Sequence, residues 1–295
     1  MLMLGEILAL SSAICIGFSN VFVKNVTPRF GTLYLTALRL AVSLVMAIAA
    51  GFIFSDMSSL LQMEFKYFAI LLIAGFIMMI GHIALVKAIS LDDVSRVAPA
   101  TTGLYILACI LVSTLVTDNK VSWWTALGGL LVLAGVYLIS KNDDSKFTFR
   151  NIFSLRLKLY ALIFASVTGL FWAIGAVFTD IVVDQVPPIP AAAIRLLFMT
   201  MVIMGVLAYK RSFVIKGLSK RDIFVIFVSG LFLGGATLTF IGALAATTPS
   251  IVVVLNSTYP FFVAPLAVIW LKENITKHVI IGMVACFLGV LTTLI

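Results

Sequence analysis

Arg39 and Arg195 stand about two turns inside stretches that are otherwise apolar, and each is followed by a leucine, Leu40 and Leu196. A guanidinium is costly to hold in hydrocarbon, so its presence there marks a site by default. Facing a cavity, such a pair binds a carboxylate or phosphate. Facing outward, each arginine snorkels to the interface or satisfies carbonyls freed at a helix break. His82, between Gly81 and Ile83, adds an imidazole. Its ordinary pKa of about 6.5 suits a proton relay, and a hydrogen-bonded bundle histidine is the plainer reading. Asn20, Tyr105, Trp172, Asn256 and Tyr259 bring amide, phenol and indole groups into apolar runs. These can hydrogen-bond a solute without burying a charge, or hold a cation on an aromatic face; packing and interfacial anchoring are the alternatives. Lys24 and Asp180 stand at matched positions and either pair or sit as separate interfacial charges.

Other chemistries lack their residues. No HExxH, GxSxG, GxGD or Walker pattern occurs, so an enzymatic role, a catalytic residue and a metal site are not expected. No cofactor is implied. Cys15, Cys109 and Cys286 are far apart, without CxxC spacing, and read as buried free thiols. The centre of the first apolar run, Ile16-Gly17-Phe18-Ser19-Asn20, holds no carboxylate, which a cation/proton exchanger of the small multidrug type needs there. Energy must then come from a gradient, with protons a candidate coupling ion, or from the solute itself.

The elements that position these groups follow from composition. Of 295 residues, 62% are hydrophobic and 11% charged, with mean hydropathy +1.21. A soluble domain carries roughly 25% charged residues. The bilayer is therefore the expected solvent, and a spanning helix needs about 20 apolar residues. Ten such runs are present: Ile7–Val23, Thr32–Ser55, Tyr67–Ser90, Ser95–Thr117, Ser122–Ser140, Lys158–Val182, Ile189–Tyr209, Ile223–Ala246, Ser250–Leu271 and Thr276–Ile295. The first is read as a retained helix, since Met1–Glu6 carries no basic segment of a cleaved signal. A polar, basic linker, residues 141–157, separates a first repeat, 1–140, from a second, 158–295.

The halves match at nearly one offset. A shift of 156 lays Val21-Phe22 on Val177-Phe178 and Arg39-Leu40 on Arg195-Leu196. A shift of 154 lays Tyr105 on Tyr259, Gly128 on Gly282 and Gly135-Val136 on Gly289-Val290. Five helices per repeat is an odd number, so the second repeat enters the membrane from the opposite side. The expected architecture is an all-α membrane protein of ten transmembrane helices, built as two inverted five-helix repeats. Net charge is +8, and the basic residues sit in short loops, which points to an anionic membrane surface and away from nucleic acid. Only Lys66 and Lys120 fall on the side of the termini, Arg39 and Arg195 lie within spans, and the other sixteen of the 20 fall on the opposite side. The positive-inside rule puts the linker in the cytoplasm and both termini outside, in a multi-pass plasma-membrane protein.

Asn256-Ser257-Thr258-Tyr259-Pro260-Phe261-Phe262, Pro265, the loop Glu273-Asn274-Ile275-Thr276 and Gly282 resemble the end-of-repeat pattern of the EamA-type family in the drug/metabolite transporter superfamily. The first repeat has a weaker copy, with Ile106 where Pro260 stands and Asn119-Lys120-Val121-Ser122 where Glu273 to Thr276 stand. Trp172-Ala173-Ile174-Gly175, Arg39 and Arg195 also fall at family-like positions. The resemblance implies an alternating-access carrier of a small metabolite, as monomer or homodimer, and termini in the cytoplasm; the basic residues argue the reverse orientation. The expected solute is an amino acid or another anionic or zwitterionic molecule, bound between the repeats by Asn20, Arg39, His82, Tyr105, Trp172, Arg195, Asn256 and Tyr259. A translocase for a lipid-linked amphiphile and an exporter of quaternary amines or drugs using the aromatic residues are the alternatives.

Overall fold

The computed structural model describes residues 2–55, 57–117, 123–140, 149–211, 218–247 and 249–292. Among them every regular element is helical. That follows from apolar chain in hydrocarbon, where each backbone N–H and C=O must find its partner inside its own segment. The helices are α1 (Leu2–Lys24), α2 (Thr32–Phe54), α3 (Phe65–Leu91), α4 (Val94–Thr117), α5 (Trp123–Ser140), α6 (Phe149–Val183), α7 (Pro188–Tyr209), α8 (Lys220–Ala246), α9 (Pro249–Asn256), α10 (Tyr259–Leu266) and α11 (Lys277–Thr292). A 3₁₀ turn, Met57–Gln62, precedes α3. Large apolar side chains such as Phe52, Phe65 and Leu130 line the outside of the bundle.

Seven helices among the described residues are long and apolar enough to cross a membrane, and two shorter apolar stretches, Leu127–Ile139 and Lys277–Gly289, lie in α5 and α11. Two boundaries differ from the sequence expectation. The second part of the basic linker is helical, because α6 begins at Phe149; residues 141–148 lie outside the described set. The run 250–271 is interrupted. Pro260 has no N–H, so the carbonyl of Asn256 loses its helical donor, and the chain turns at Ser257-Thr258 before restarting as α10. Ile106 keeps its N–H, and α4 runs unbroken past the matching point. After α10 the chain widens into a π turn, Ala267–Leu271, closed by Lys272 in the left-handed region and by the Glu273 N–H on Ala267 O.

The two halves pack on each other through exchanged pairs. Helix α1 lies mainly along α8, and its counterpart α6 lies along α3. Helix α5 lies along α11, where a Cβ on Gly135 would sit 2.7 Å from Gly282 O and one on Gly289 would sit 2.7 Å from Gly128 O. A shift of 154 converts the first contact into the second, which is what an approximate two-fold axis requires. Likewise a Cβ on Gly75 would meet Arg195 O at 3.2 Å, and one on Gly230 would meet Arg39 O at 3.0 Å. These glycines allow backbones to close without a hydrophobic driving force, which lipid does not supply.

Several ties gather at one end of the bundle. Lys24 Nζ donates to Ile89 O and Asp92 O at 2.7 Å each, capping the C-terminus of α3. It is not paired with Asp180, so the two charges are separate. Arg29 pairs with Asp222 at 2.6 Å, and Glu273 accepts from the N–H groups of Val94 and Ser95 at 2.9 and 3.0 Å. The last two join the halves, and a carboxylate at the start of α4 also complements the helix dipole.

The α5–α11 contact predicts a contrast. Gly135→Val lowers stability by about 1–3 kcal/mol through overpacking. Gly205→Ala, where an added Cβ meets nothing within 4 Å, leaves stability unchanged or slightly raised. Thermal unfolding of both variants in one detergent checks the pair.

Candidate functional site

A cavity lies between the halves, walled by α1, α3, α4, α6, α7, α8 and the α9–α10 break. Its volume is about 70 Å³. That is room for a few waters or one small solute. Helical spacing builds the walls. Ser12, Ile16 and Ser19 lie on one face of α1 with Asn20 beside them; Met78, His82 and Leu85 lie on one face of α3; Thr101, Thr102 and Tyr105 face in from α4. Seven of the eight side chains singled out in the sequence line this space: Asn20, His82, Tyr105, Trp172, Arg195, Asn256 and Tyr259. Arg39 does not; it is buried behind Ser19.

The polar groups divide into those already held and those left open. Asn256 Nδ2 donates to Ser12 Oγ at 3.2 Å, and Ser12 Oγ donates to Ala236 O at 3.0 Å. Tyr259 OH donates to Ala98 O at 2.9 Å, tying α10 to α4. Arg195 Nη1 donates to Thr179 Oγ1 at 2.9 Å. Among the described residues, four buried polar atoms of side chains that line it have no protein partner: Asn20 Nδ2, His82 Nδ1, Trp172 Nε1 and Arg195 Nε. A buried polar atom without a partner costs about 1–3 kcal/mol, so four on the side chains of one cavity call for water or a solute. Asn20, Trp172 and Arg195 offer N–H donors there, and among the described residues no aspartate or glutamate lines the cavity. The His82 ring meets the Trp172 ring edge-on, 5.5 Å between centroids. Tyr105, Tyr259 and Phe240 complete an apolar and aromatic wall.

The two arginines are matched in sequence and unlike in setting. Arg39 Nη2 donates to Ser19 Oγ at 2.7 Å, and Ser19 Oγ and Ser229 Oγ each donate to the other residue's carbonyl. The counterpart of Ser19 at the shift of 156 is Gly175, which has no hydroxyl to stand between Arg195 and the cavity. Arg195 turns instead to Thr179, one turn further along α6.

Ser12, Ser19, Thr101, Thr102, Thr237 and Ser257 also line the cavity and were not singled out from the sequence. Their signal was present: Ser12, Ser19 and Asn20 share a face of α1, and Thr101 stands one turn before Tyr105. Asp92 belongs elsewhere, to a second space with Arg96 and Lys158 at the end of the bundle. Burial pushes its carboxyl above the usual range, while the Asp93 N–H and the Arg96 charge pull it back. Among the described residues no group of three or more His, Cys, Asp or Glu side chains could hold a metal, and Cys15, Cys109 and Cys286 are free thiols.

Comparison with known proteins bears on the class. The sequence model of the EamA-like transporter family matches residues 3–141 and 159–295. An uncharacterized transporter of Archaeoglobus fulgidus is 25% identical over 216 residues, which span 73% of this chain and 72% of that protein. The crystal structure of a protein 17% identical in sequence superposes with a TM-score of 0.70, over 98% of this chain and 94% of the other, and shows the same fold.

Gly81 sets the depth of Trp172, since a Cβ there would meet its Cδ1 at 2.7 Å and Nε1 at 3.0 Å. Gly81→Ala is expected to push the indole and shift its emission maximum. The measurement is fluorescence of a chain keeping Trp172 as its single tryptophan; unchanged emission refutes the contact.

Proposed function

On the premise that the chain belongs to the EamA-like transporter family of the drug/metabolite transporter superfamily, we propose that this membrane transporter of small solutes is an alternating-access carrier for an amino acid or similar anionic or zwitterionic solute. Ten spanning helices form two inverted five-helix repeats, residues 1–140 and 158–295, and the solute binds in the cavity between them. One observation carries the reading: among the described residues, four unpartnered buried polar atoms, N–H donors prominent among them, belong to side chains that line one cavity, and none of its lining residues is an aspartate or glutamate.

The chemistry follows from that donor set. A carboxylate accepts from Arg195 Nε–H, Trp172 Nε1–H and Asn20 Nδ2–H without displacing an existing bond. Hydrogen bonds to a charged group are worth about 1.5–3 kcal/mol, and here the cation is already desolvated. The solute's apolar part lies against Tyr105, Phe240 and Tyr259. Asn256 and Tyr259 fix the α9–α10 break, and so the shape of that wall. A quaternary amine finds aromatic faces but no opposite charge, so the aromatic exporter reading is weaker. His82 lines the cavity with Nδ1 unpartnered among the described residues, and it is the group to carry a coupled proton.

Alternating access then needs the halves to rock about the cavity. The Arg29–Asp222 pair and the Glu273 cap on α4 hold the halves at one end, and these contacts are the ones to break when that end opens. The Lys/Arg distribution places that end in the cytoplasm of a plasma-membrane protein, with both termini outside.

Purified protein in proteoliposomes, offered a panel of amino acids, carboxylates and quaternary amines, is expected to move a zwitterionic or anionic member saturably. Arg195→Ala lowers that flux by about 10-fold or more, the equivalent of one charge-assisted hydrogen bond. Transport of quaternary amines alone, intact in Arg39→Ala and Arg195→Ala, overturns the reading. Reporter fusions at Ile295 test orientation separately: a reporter active only outside the cytoplasm is expected, and one active only inside it refutes the topology.

A further inference from the structure

A groove lies on the outer surface, away from the transport cavity and from the Asp92 space, where the end of α1 meets the start of α8. Its volume is about 260 Å³. Its polar end is formed by Arg29 and Arg221, its apolar end by Phe22, Val225 and Trp270. The groove therefore grades from cationic to apolar over about two helical turns, in the direction from the end of the bundle toward its middle.

Three features shape it. The π turn at Ala267–Leu271 departs from the α-helical register and carries Trp270 against α1, with its ring 5.0 Å from Phe22 and 5.7 Å from Phe18. Phe232 of α8 stacks on Phe18 at 4.9 Å, so the aromatic floor joins both halves of the chain. Trp270 is still 47% exposed, at the level where an indole meets both head groups and chains. Finally, Asp222, the acid that lines the groove among the described residues, is already engaged. Asp222 is 2% exposed, takes the Ser219 N–H and hydroxyl on Oδ2, and pairs with Arg29 through Oδ1. Arg29 is 54% exposed and presents further N–H groups beyond the one on Asp222. Arg221 is exposed beside it.

The geometry points to a binding site for an anionic phospholipid. The phosphate lies between the Arg29 and Arg221 guanidiniums, which match its oxygens in shape and charge. One acyl chain runs over Phe22 and Trp270. A free anion uses only the polar end and leaves the aromatic floor uncovered, whereas a zwitterionic lipid brings its own cation against two arginines. The lipid spans the seam between α1 and α8 beside the Arg29–Asp222 pair that joins the halves. The assignment is independent of which solute the protein carries.

The test uses the full chain in nanodiscs of phosphatidylcholine containing a fixed fraction of brominated phosphatidylglycerol or, in the parallel sample, brominated phosphatidylcholine. Bromine quenches tryptophan on contact, and subtracting a Trp270→Phe variant isolates the Trp270 signal. A nanodisc offers the same lipid to both ends, so orientation does not enter. Phosphatidylglycerol is expected to be preferred at Trp270 by about fivefold per arginine. Arg221→Gln reduces the preference, Arg221→Lys keeps most of it, and Lys66→Gln at the other end leaves it unchanged. Equal quenching by the two lipids overturns the site, as does an equal loss in Lys66→Gln. Abolition of the preference by excess inorganic phosphate makes it a free-anion site and overturns the lipid assignment.

Discussion

Every backbone polar group of this chain that meets hydrocarbon must be satisfied within the protein, and that constraint organises the rest. It makes the described residues helical throughout their regular elements. It also restricts where a helix can break. The interruption at Ser257-Thr258 lies against the cavity, with Asn256, Ser257 and Tyr259 all lining it. Asn256, Ser257 and Tyr259 are all buried there. The proline that forces the break and the side chains that line the cavity are thus parts of one feature.

The same constraint governs the buried charges. Among the described residues neither Arg39 nor Arg195 has an acidic partner; each rests on a hydroxyl. A hydroxyl orients a guanidinium without neutralising it. Arg195 lines the cavity, and its Nε–H has no protein partner among the described residues. At Arg39 the Ser19–Ser229 exchange closes α1 against α8 and keeps the cation behind the wall. Duplication supplied two equivalent arginines, and the exchange of Ser19 for Gly175 made their surroundings differ.

The ends of the bundle are unlike the middle. In the middle the halves meet through glycines and hydroxyls, with Gly135 on Gly282 and Gly128 on Gly289. At one end they meet through charges: Arg29 on Asp222, and Glu273 on the first N–H groups of α4. Close packing of small residues suits a pivot, because it has no directional bonds to break. Ion pairs and caps near water suit a closure that opens and reforms, since solvent compensates the exposed groups. The contact types thus differ between the middle of the bundle and its end.

Much of this was legible in the residues. Composition alone required a helical membrane protein, and the offsets of 154 and 156 identified which residues exchange across the axis. Pro260 against Ile106 already contained the reason one helix breaks and its counterpart does not. Seven of the eight polar and aromatic residues noted in apolar runs surround one cavity, because a polar group in hydrocarbon has few other places to go. Tertiary structure decided what depends on which distant helices meet. Periodicity marks the polar face of α1, but only the packing of α1 on α8 brings Ser19 to Ser229 and shuts Arg39 away. Lys24 found the carbonyls ending α3 and not the acid at its matched position, because sequence offset records ancestry while reach records distance. The hydroxyls of Ser12 and Thr101 join the cavity for the same reason: a small polar residue can bond its own helix or face a solute, and the neighbouring helix determines which.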